Sequence, residues 1–223
     1  MTDPIQHQRR SFVYRKLAAV GATFREMADT AVAASIPGAT PALGLADLSP
    51  LPRLGYKGPN ALSVLGAAGL QIPEENNMAL PVPGGGLVAR LADSEALLLG
   101  DPTGVGDPLA AYGDVAGAGC YAMPRRESHA WFLLVGDSGA ECLAKICGVD
   151  LRPHRFDEER VAQTSLARIN GIIIRGDRGE GLVYHLLADS ASAPYLWDCV
   201  IDAMAEFEGG PIGIDMIKNA AGA

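Results

Sequence analysis

Apolar and polar positions follow one another in two rhythms along this chain, a helical one at its ends and a strand-like one between. Phe12, Val13, Leu17 and Val20 recur at helical spacing behind Ser11, a candidate cap, and Gly21 follows as a stop. The next stretch, ATFREMADTAVAAS, divides into two runs, Thr23–Met27 and Thr30–Ser35, around Ala28-Asp29, which is a short-hairpin pattern. IPGATPALGL, from Ile36 to Leu45, reads as a Pro/Gly connector. Near the C-terminus Leu196, Val200, Ala203, Met204 and Phe207 form one stripe of a helix expected over about Ala193–Glu208.

Between these ends the pattern repeats. LPRLGYKGPNALSVLGAAGLQIP corresponds to HAWFLLVGDSGAECLAKICGVDLRP, with Gly58 against Gly136 and Leu65 against Leu143, both 78 residues apart. Gly69 pairs with Gly148 and Ile72 with Leu151 at an offset of 79, and Gly86 pairs with Gly171 and Arg90 with Arg175 at 85. Each copy reads as strand, tight Gly turn, helix, loop and strand hairpin. In the second copy the strand is Ala130–Val135, and the helix is Ser138–Cys147 with Ala140, Leu143, Ala144 and Cys147 on its apolar face. Its hairpin strands are Gln163–Arg175 and Gly181–Leu187, joined by Gly176-Asp177-Arg178-Gly179-Glu180. The expectation is an α+β domain of two βαββ-like halves with mixed or antiparallel sheets.

The domain plan that follows is a polar tail over residues 1–10 and one duplicated α+β domain over 11–217, with a short tail over 218–223. Within the domain the first half covers about 47–100 and the second 129–208. Residues 101–128 form a connector with a short helix around Pro108–Val115. Composition agrees: 223 residues suffice for a core without disulfides or metals, and 27 glycines and 15 prolines, roughly a fifth of the chain, mark a loop-rich globular protein. A net charge of −8 gives no attraction to nucleic acid or anionic lipid, and the one basic cluster, Arg9, Arg10, Arg15 and Lys16, is small. No apolar run approaches a membrane span, MTDPIQHQRR lacks a secretory core, and the four cysteines lack CxxC spacing. Reduced thiols and a cytoplasmic location are expected.

Several blocks, in order, carry a family resemblance: FVYRKLAAVGATFREMADTAVAAS, then LADLSPLPRLGYKGPNAL, then PHRFDEERVAQTSLARINGIIIRGDRGEGLVYHLLADSASAPYLWD. From about Phe12 to Asp215 the chain resembles the gamma subunit family of heterotetrameric sarcosine oxidase, and the related small subunit of N-methylglutamate dehydrogenase. That family is similar to the folate-binding domain of the glycine-cleavage aminomethyltransferase, itself a duplicated fold, whose opening matches Asp47-Leu48-Ser49. The resemblance implies a non-catalytic subunit packed against alpha, beta and delta subunits. FAD, FMN, NAD, tetrahydrofolate and zinc would sit in those other chains, and the assembly would oxidatively demethylate sarcosine to glycine. In the aminomethyltransferase a Gly-Gly-aliphatic-aliphatic stretch leads to an acidic pair that contacts folate. Here Gly85-Gly86-Leu87-Val88 leads to Ala89-Arg90, and a guanidinium cannot accept a pterin's hydrogen bonds. A folate function is therefore not carried over.

The residues themselves offer little chemistry. Gly84-Gly85-Gly86 precedes a strand, Leu87–Leu91, rather than opening a helix, and Gly104-x-Gly106 has the same weakness as a phosphate cradle. His129, at a strand entrance, His154, and His185, inside a strand, have no metal-ligand spacing. Cys142 and Cys147 fall about 140° apart on a helix and read as packing residues. Asp157-Glu158-Glu159 reads as a solvated loop. No catalytic, cofactor-binding or metal residue is assigned, although a dyad built from distant residues stays open. Trp131 and Phe132 alternate faces of a strand, so one of them faces a second layer or a partner, and Tyr195 and Trp197 diverge on the last helix. Arg90, Arg125, Arg126, Arg168 and Arg175 are the charged interface candidates. The competing functions are a stand-alone folate-dependent one-carbon enzyme and a small-molecule-binding regulatory module.

Overall fold

The computed structural model describes residues 1–27, 29–177 and 181–220, without the side chains of 218–220. Helix α1 (Tyr14–Ala19) leads into a hairpin, β1 (Thr23–Met27) and β2 (Thr30–Ser35). The strands β3 (Gly44–Asp47) and β4 (Arg53–Lys57) precede α2 (Ala61–Ala67), β5 (Met78–Val82), β6 (Gly86–Ala92) and β7 (Glu95–Leu99). After β8 (Tyr121–Pro124) come β9 (His129–Val135), α3 (Gly139–Ala144), β10 (Val161–Leu166), β11 (Ile169–Arg175) and β12 (Val183–Asp189). The chain closes with α4 (Ala193–Met204), β13 (Gly210–Ile212) and α5 (Ile214–Ala220).

The strands form a six-stranded sheet, β10-β11-β12-β9-β3-β13, and a five-stranded sheet, β5-β6-β7-β4-β8, beside the β1-β2 hairpin. All neighbours are antiparallel except β13 and β3. The sheets join along one edge, where Ala79 N donates to Glu159 O at 2.7 Å and Val161 N to Asn77 O at 2.9 Å. The result is a four-layer α-β-β-α stack with mixed sheets and few helices.

Strand β9 shows why. Ala130, Phe132 and Leu134 pack under α1, α3 and α4, with Leu17, Leu143, Leu196 and Val200. Trp131 and Leu133 pack on the other face, between the sheets, with Leu97, Leu99 and Ile174. A strand covered on both faces is apolar at every position, which is how HAWFLLV reads. Trp131 and Phe132 are thus both fully buried in this chain, in two layers, and neither is left for a partner. Tyr56, Leu65, Val88 and Leu98 form the third layer of core, beneath α2.

Several expectations are corrected. Ser11 does not cap α1: Val13 stands at the cap position without a side-chain bond, while Ser11 Oγ accepts from Val13 N and donates to the Asp47 carboxylate. The expected strand Gln163–Arg175 is two strands, because Ala167 and Arg168 take positive φ (50° and 67°) and form a two-residue turn without glycine or asparagine. Helix α3 stops at Ala144, so Cys142 and Cys147 both reach the same core, and Ala144 is exposed. The connector contributes an edge strand, β8, and Gly44-Leu45 of the expected connector lie in β3. The expected polar tail is docked: Thr2 N donates to Phe24 O at 3.0 Å, and Arg9 pairs with Asp29 and Glu127. Helix α5 runs past residue 217. The β1-β2 hairpin, the α4 stripe and the Gly84-Gly85 turn into β6 are as expected; residues 178–180 of the β11–β12 turn lie outside the described residues.

Candidate functional site

The space between the sheets is where the resemblance would place a ligand, and apolar side chains fill it. Strand β6 sends Leu87, Ala89 and Leu91 into that space and Val88 to the outer face. Arg90 therefore faces outward with Val88, correcting the expectation that its guanidinium replaces a carboxylate in the site. There it donates to Asn76 Oδ1 at 2.8 Å and Glu74 O at 2.6 Å and pairs with Asp93. The inward position is Ala89, fully buried and without any polar group.

One end of the inter-sheet space rests on a buried charge that sequence reading missed. Arg53, on the inner face of β4, is 2% exposed. Its Nη1 donates to the carbonyls of Leu48, Ser49 and Leu51, and its Nη2 to those of Arg126 and His129 at 2.7 and 2.8 Å. Burial lowers its pKa to about 10, with Asp47 opposing, so it stays charged at neutral pH. Asp47 is fully buried and raised above the usual carboxylate range by that burial, against hydrogen bonds from Ser11 and Ser49. Ser49 Oγ in turn accepts from Trp131 N at 3.0 Å. The Asp47-Leu48-Ser49 motif thus fastens α1, β3 and β9 together, a structural role. Beside it Trp131 Nε1 donates to His185 Nδ1 at 3.0 Å, with the two rings stacked.

Next to Arg53 the sandwich opens into a cleft of about 520 Å³. Gly55 permits its construction, because a Cβ there would stand 2.7 Å from Arg125 Cγ and Nε. Arg125 crosses that gap to pair with Glu95, and Lys57 Nζ meets the other oxygen of Glu95 at 3.1 Å. His129 lines the same cleft. Its pKa falls to about 4 through burial first, then the charges of Arg125 and Arg53, so the ring is neutral at physiological pH.

The other candidates are accounted for by contacts within the chain. Asp101 takes the amides of Thr103, Val105 and Gly106, so the Gly104-x-Gly106 loop wraps a carboxylate of its own. Arg126 holds Asp29 and Pro50 O, and Arg175 holds Asp177 and Phe156 O; of the five interface arginines only Arg168 is exposed on a turn. Tyr195 is largely exposed while Trp197 is buried against Phe132. Among the described residues no three His, Cys, Asp or Glu side chains converge on a metal position, and no helix is long and apolar enough to cross a membrane. The residues missed by sequence reading are Arg53, Glu95 and Gly55. Their one signal was the alternation of Arg53, Gly55 and Lys57 on a single strand face.

A chain of heterotetrameric sarcosine oxidase from Corynebacterium sp. U-96, solved with pyrrole 2-carboxylate, superposes with a TM-score of 0.65 at 23% identity, over 91% of this chain and 97% of that one. The fold is that of a sarcosine oxidase chain. Glycine cleavage system aminomethyltransferase T from Bartonella henselae shares it, with a TM-score of 0.66 at 17% identity over 96% of this chain. This chain spans only 60% of that transferase. No protein-family model matches the chain, and no curated protein matches it by sequence.

Proposed function

We propose that this chain is a non-catalytic subunit of a sarcosine-oxidase-type complex, the gamma subunit position of a cytoplasmic heterotetramer that oxidatively demethylates sarcosine to glycine. The mutual coverage of 91% and 97% with a chain of such an assembly carries the reading, since the aminomethyltransferase is much longer. The matching strand orders β5-β6-β7-β4 and β10-β11-β12-β9, each with its glycine turn and helix, support a duplicated origin.

The residues present do not fit tetrahydrofolate. Ala89 and its apolar neighbours occupy the inter-sheet space, and the mouth beside Gly85 and Gly86 measures about 180 Å³ among the described residues, below the roughly 300 Å³ of ordinary ligand pockets. On this proposal FAD, FMN, NAD, tetrahydrofolate and zinc sit in the alpha, beta and delta partners. The test is co-expression with the larger subunits of its own organism: the chain co-elutes with them, and migration of the chain alone would remove the proposal. N-methylglutamate as substrate would appear as co-elution with that enzyme's subunits instead. A stand-alone folate enzyme would show a rise in melting temperature with saturating tetrahydrofolate, which the filled core argues against.

A further inference from the structure

The end strands of the two sheets are closed by the chain itself, with one exception. Strand β5 is tied to the second sheet through Ala79 N on Glu159 O. Strand β10 is held at both ends, by Val161 N on Asn77 O and by the bridge between Cys147 and Leu166. Beyond β13 the chain packs on β2, where a Cβ at Gly213 would stand 2.2 Å from Ala34 O. Strand β8 is the exception: all four of its residues are exposed, and among the described residues no strand lies on its outer side.

The register of β4 shows which groups that edge leaves unused. Gly100 N donates to Pro52 O and Gly58 N to Ser94 O, so the even-numbered residues of β4 bond β7. The odd ones, Gly55 and Lys57, then bond β8 at Met123 and Tyr121. Ala122, between these two, turns its N–H and C=O outward. Pro124 O also points outward but accepts from Ser128 Oγ, and Pro124 has no N–H to offer. The free edge is therefore the Ala122 peptide groups, flanked on one face by Tyr121 and Met123, 64% and 38% exposed. An exposed edge with large apolar side chains is a template for another strand.

The charge beside that edge selects the strand. Lys57 stands across from Tyr121 on the same face, with its side chain 56% exposed. Its counter-ion Glu95 is only 16% exposed and is shared with Arg125, so solvent meets the ammonium and not the carboxylate. A second copy of the chain would bring the same cations to the edge, whereas an acidic segment meets them with opposite charge.

We propose that β8 accepts an extended acidic segment of a larger subunit as a sixth strand of the five-stranded sheet; the inference rests on the subunit reading. One residue of that segment exchanges backbone bonds with Ala122, apolar side chains pack on Tyr121 and Met123, and a carboxylate meets Lys57.

The test is co-expression of the full chain with the alpha, beta and delta subunits of its organism's sarcosine oxidase, read by co-elution. Y121D puts a carboxylate where the acidic strand would lie. A122P removes the outward N–H and spares the bonds to β4, and K57Q removes the exposed cation. Y121D and A122P should each cut the co-eluting chain at least about tenfold, with the fold intact by circular dichroism. K57Q should cost less, and high salt should reduce the wild type to its level. Should A122P not fold, hydrogen exchange gives a second readout: the Ala122 amide exchanges freely in the wild-type chain alone and is protected in the complex. A wild-type complex in which the Ala122 amide stays unprotected, or which Y121D joins normally, would overturn the docking edge and leave the subunit reading standing. So would a dimer of the chain alone that Y121D abolishes, which assigns the edge to a second copy. A wild-type chain that never co-elutes would remove both.

Discussion

Gly58 and Gly136 hold the same backbone conformation, with φ of 136° and 137°, at matching turns between a strand and a short helix. A Cβ on either would strike a backbone carbonyl, that of Gly119 beside Gly58 and that of Ala42 beside Gly136. Both φ values lie where side-chain-bearing residues rarely go. G58A and G136A should each destabilise the chain by at least about 2 kcal/mol, since strain and a rigid clash add. Urea denaturation checks this; a change below about 0.5 kcal/mol in either would mean the turn relaxes freely.

Arg53 donates to six carbonyls with one guanidinium, three of them buried and three partly buried. R53M keeps much of the volume and removes the guanidinium from all of them, leaving only Leu48 O and Arg125 O with backbone amides, those of Leu51 and His129, at a cost of about 3–5 kcal/mol. R53K should recover only part of that, because an ammonium offers three donors in a different geometry. Equal stability of R53K and the wild type by denaturation would show that charge alone matters there.

How much of this was legible follows from where each residue finds its partners. The hairpin β1-β2, strand β9 and helix α4 announce themselves locally, because burial on a fixed face imposes a period on neighbouring residues. Strand β8 is exposed at all four residues and gains its place only by pairing with β4, so no alternation marks it. The cleft is still less visible: Arg53 caps carbonyls 72–76 residues away as well as near ones, and Arg125 reaches Glu95 only because Gly55 leaves room. The Ala89-Arg90 pair shows the same limit. The sequence placed both beside an absent ligand, and the pleat of β6 sends only Ala89 inward.

The tight turn at Ala167-Arg168 should be improvable. Both residues take the left-handed conformation that Asn-Gly supplies at lower strain. Ala167 is buried in the core, so only the exposed Arg168 is exchanged, and Arg168→Gly should stabilise the chain by about 0.5–1 kcal/mol. A thermal melt reads the change, and a lower melting temperature would show that the Tyr195 hydroxyl bond to Ala167 O, at 3.0 Å, depends on the native pair.

Stability should fall on mild acidification through His129. Its folded pKa, about 4, lies below its ordinary 6.5, so the unfolded chain takes the proton first. The contribution is complete above pH 6.5 and is lost as pH falls toward 4. Allowing for the ring's partial exposure, the loss is roughly 1–3 kcal/mol. Asp47, raised by burial, acts with the opposite sign, so the measurement is the difference between wild type and H129Q across the window. A difference that does not change with pH would contradict the neutral-ring assignment.

The subunit role itself is tested most directly by native mass spectrometry of the chain co-expressed with its organism's sarcosine oxidase alpha, beta and delta subunits. The expected result is one particle containing one copy of each, which loses this chain only together with its integrity while the flavins stay on the other subunits. A fully active, intact particle that forms without this chain, with the chain recovered alone, would contradict it.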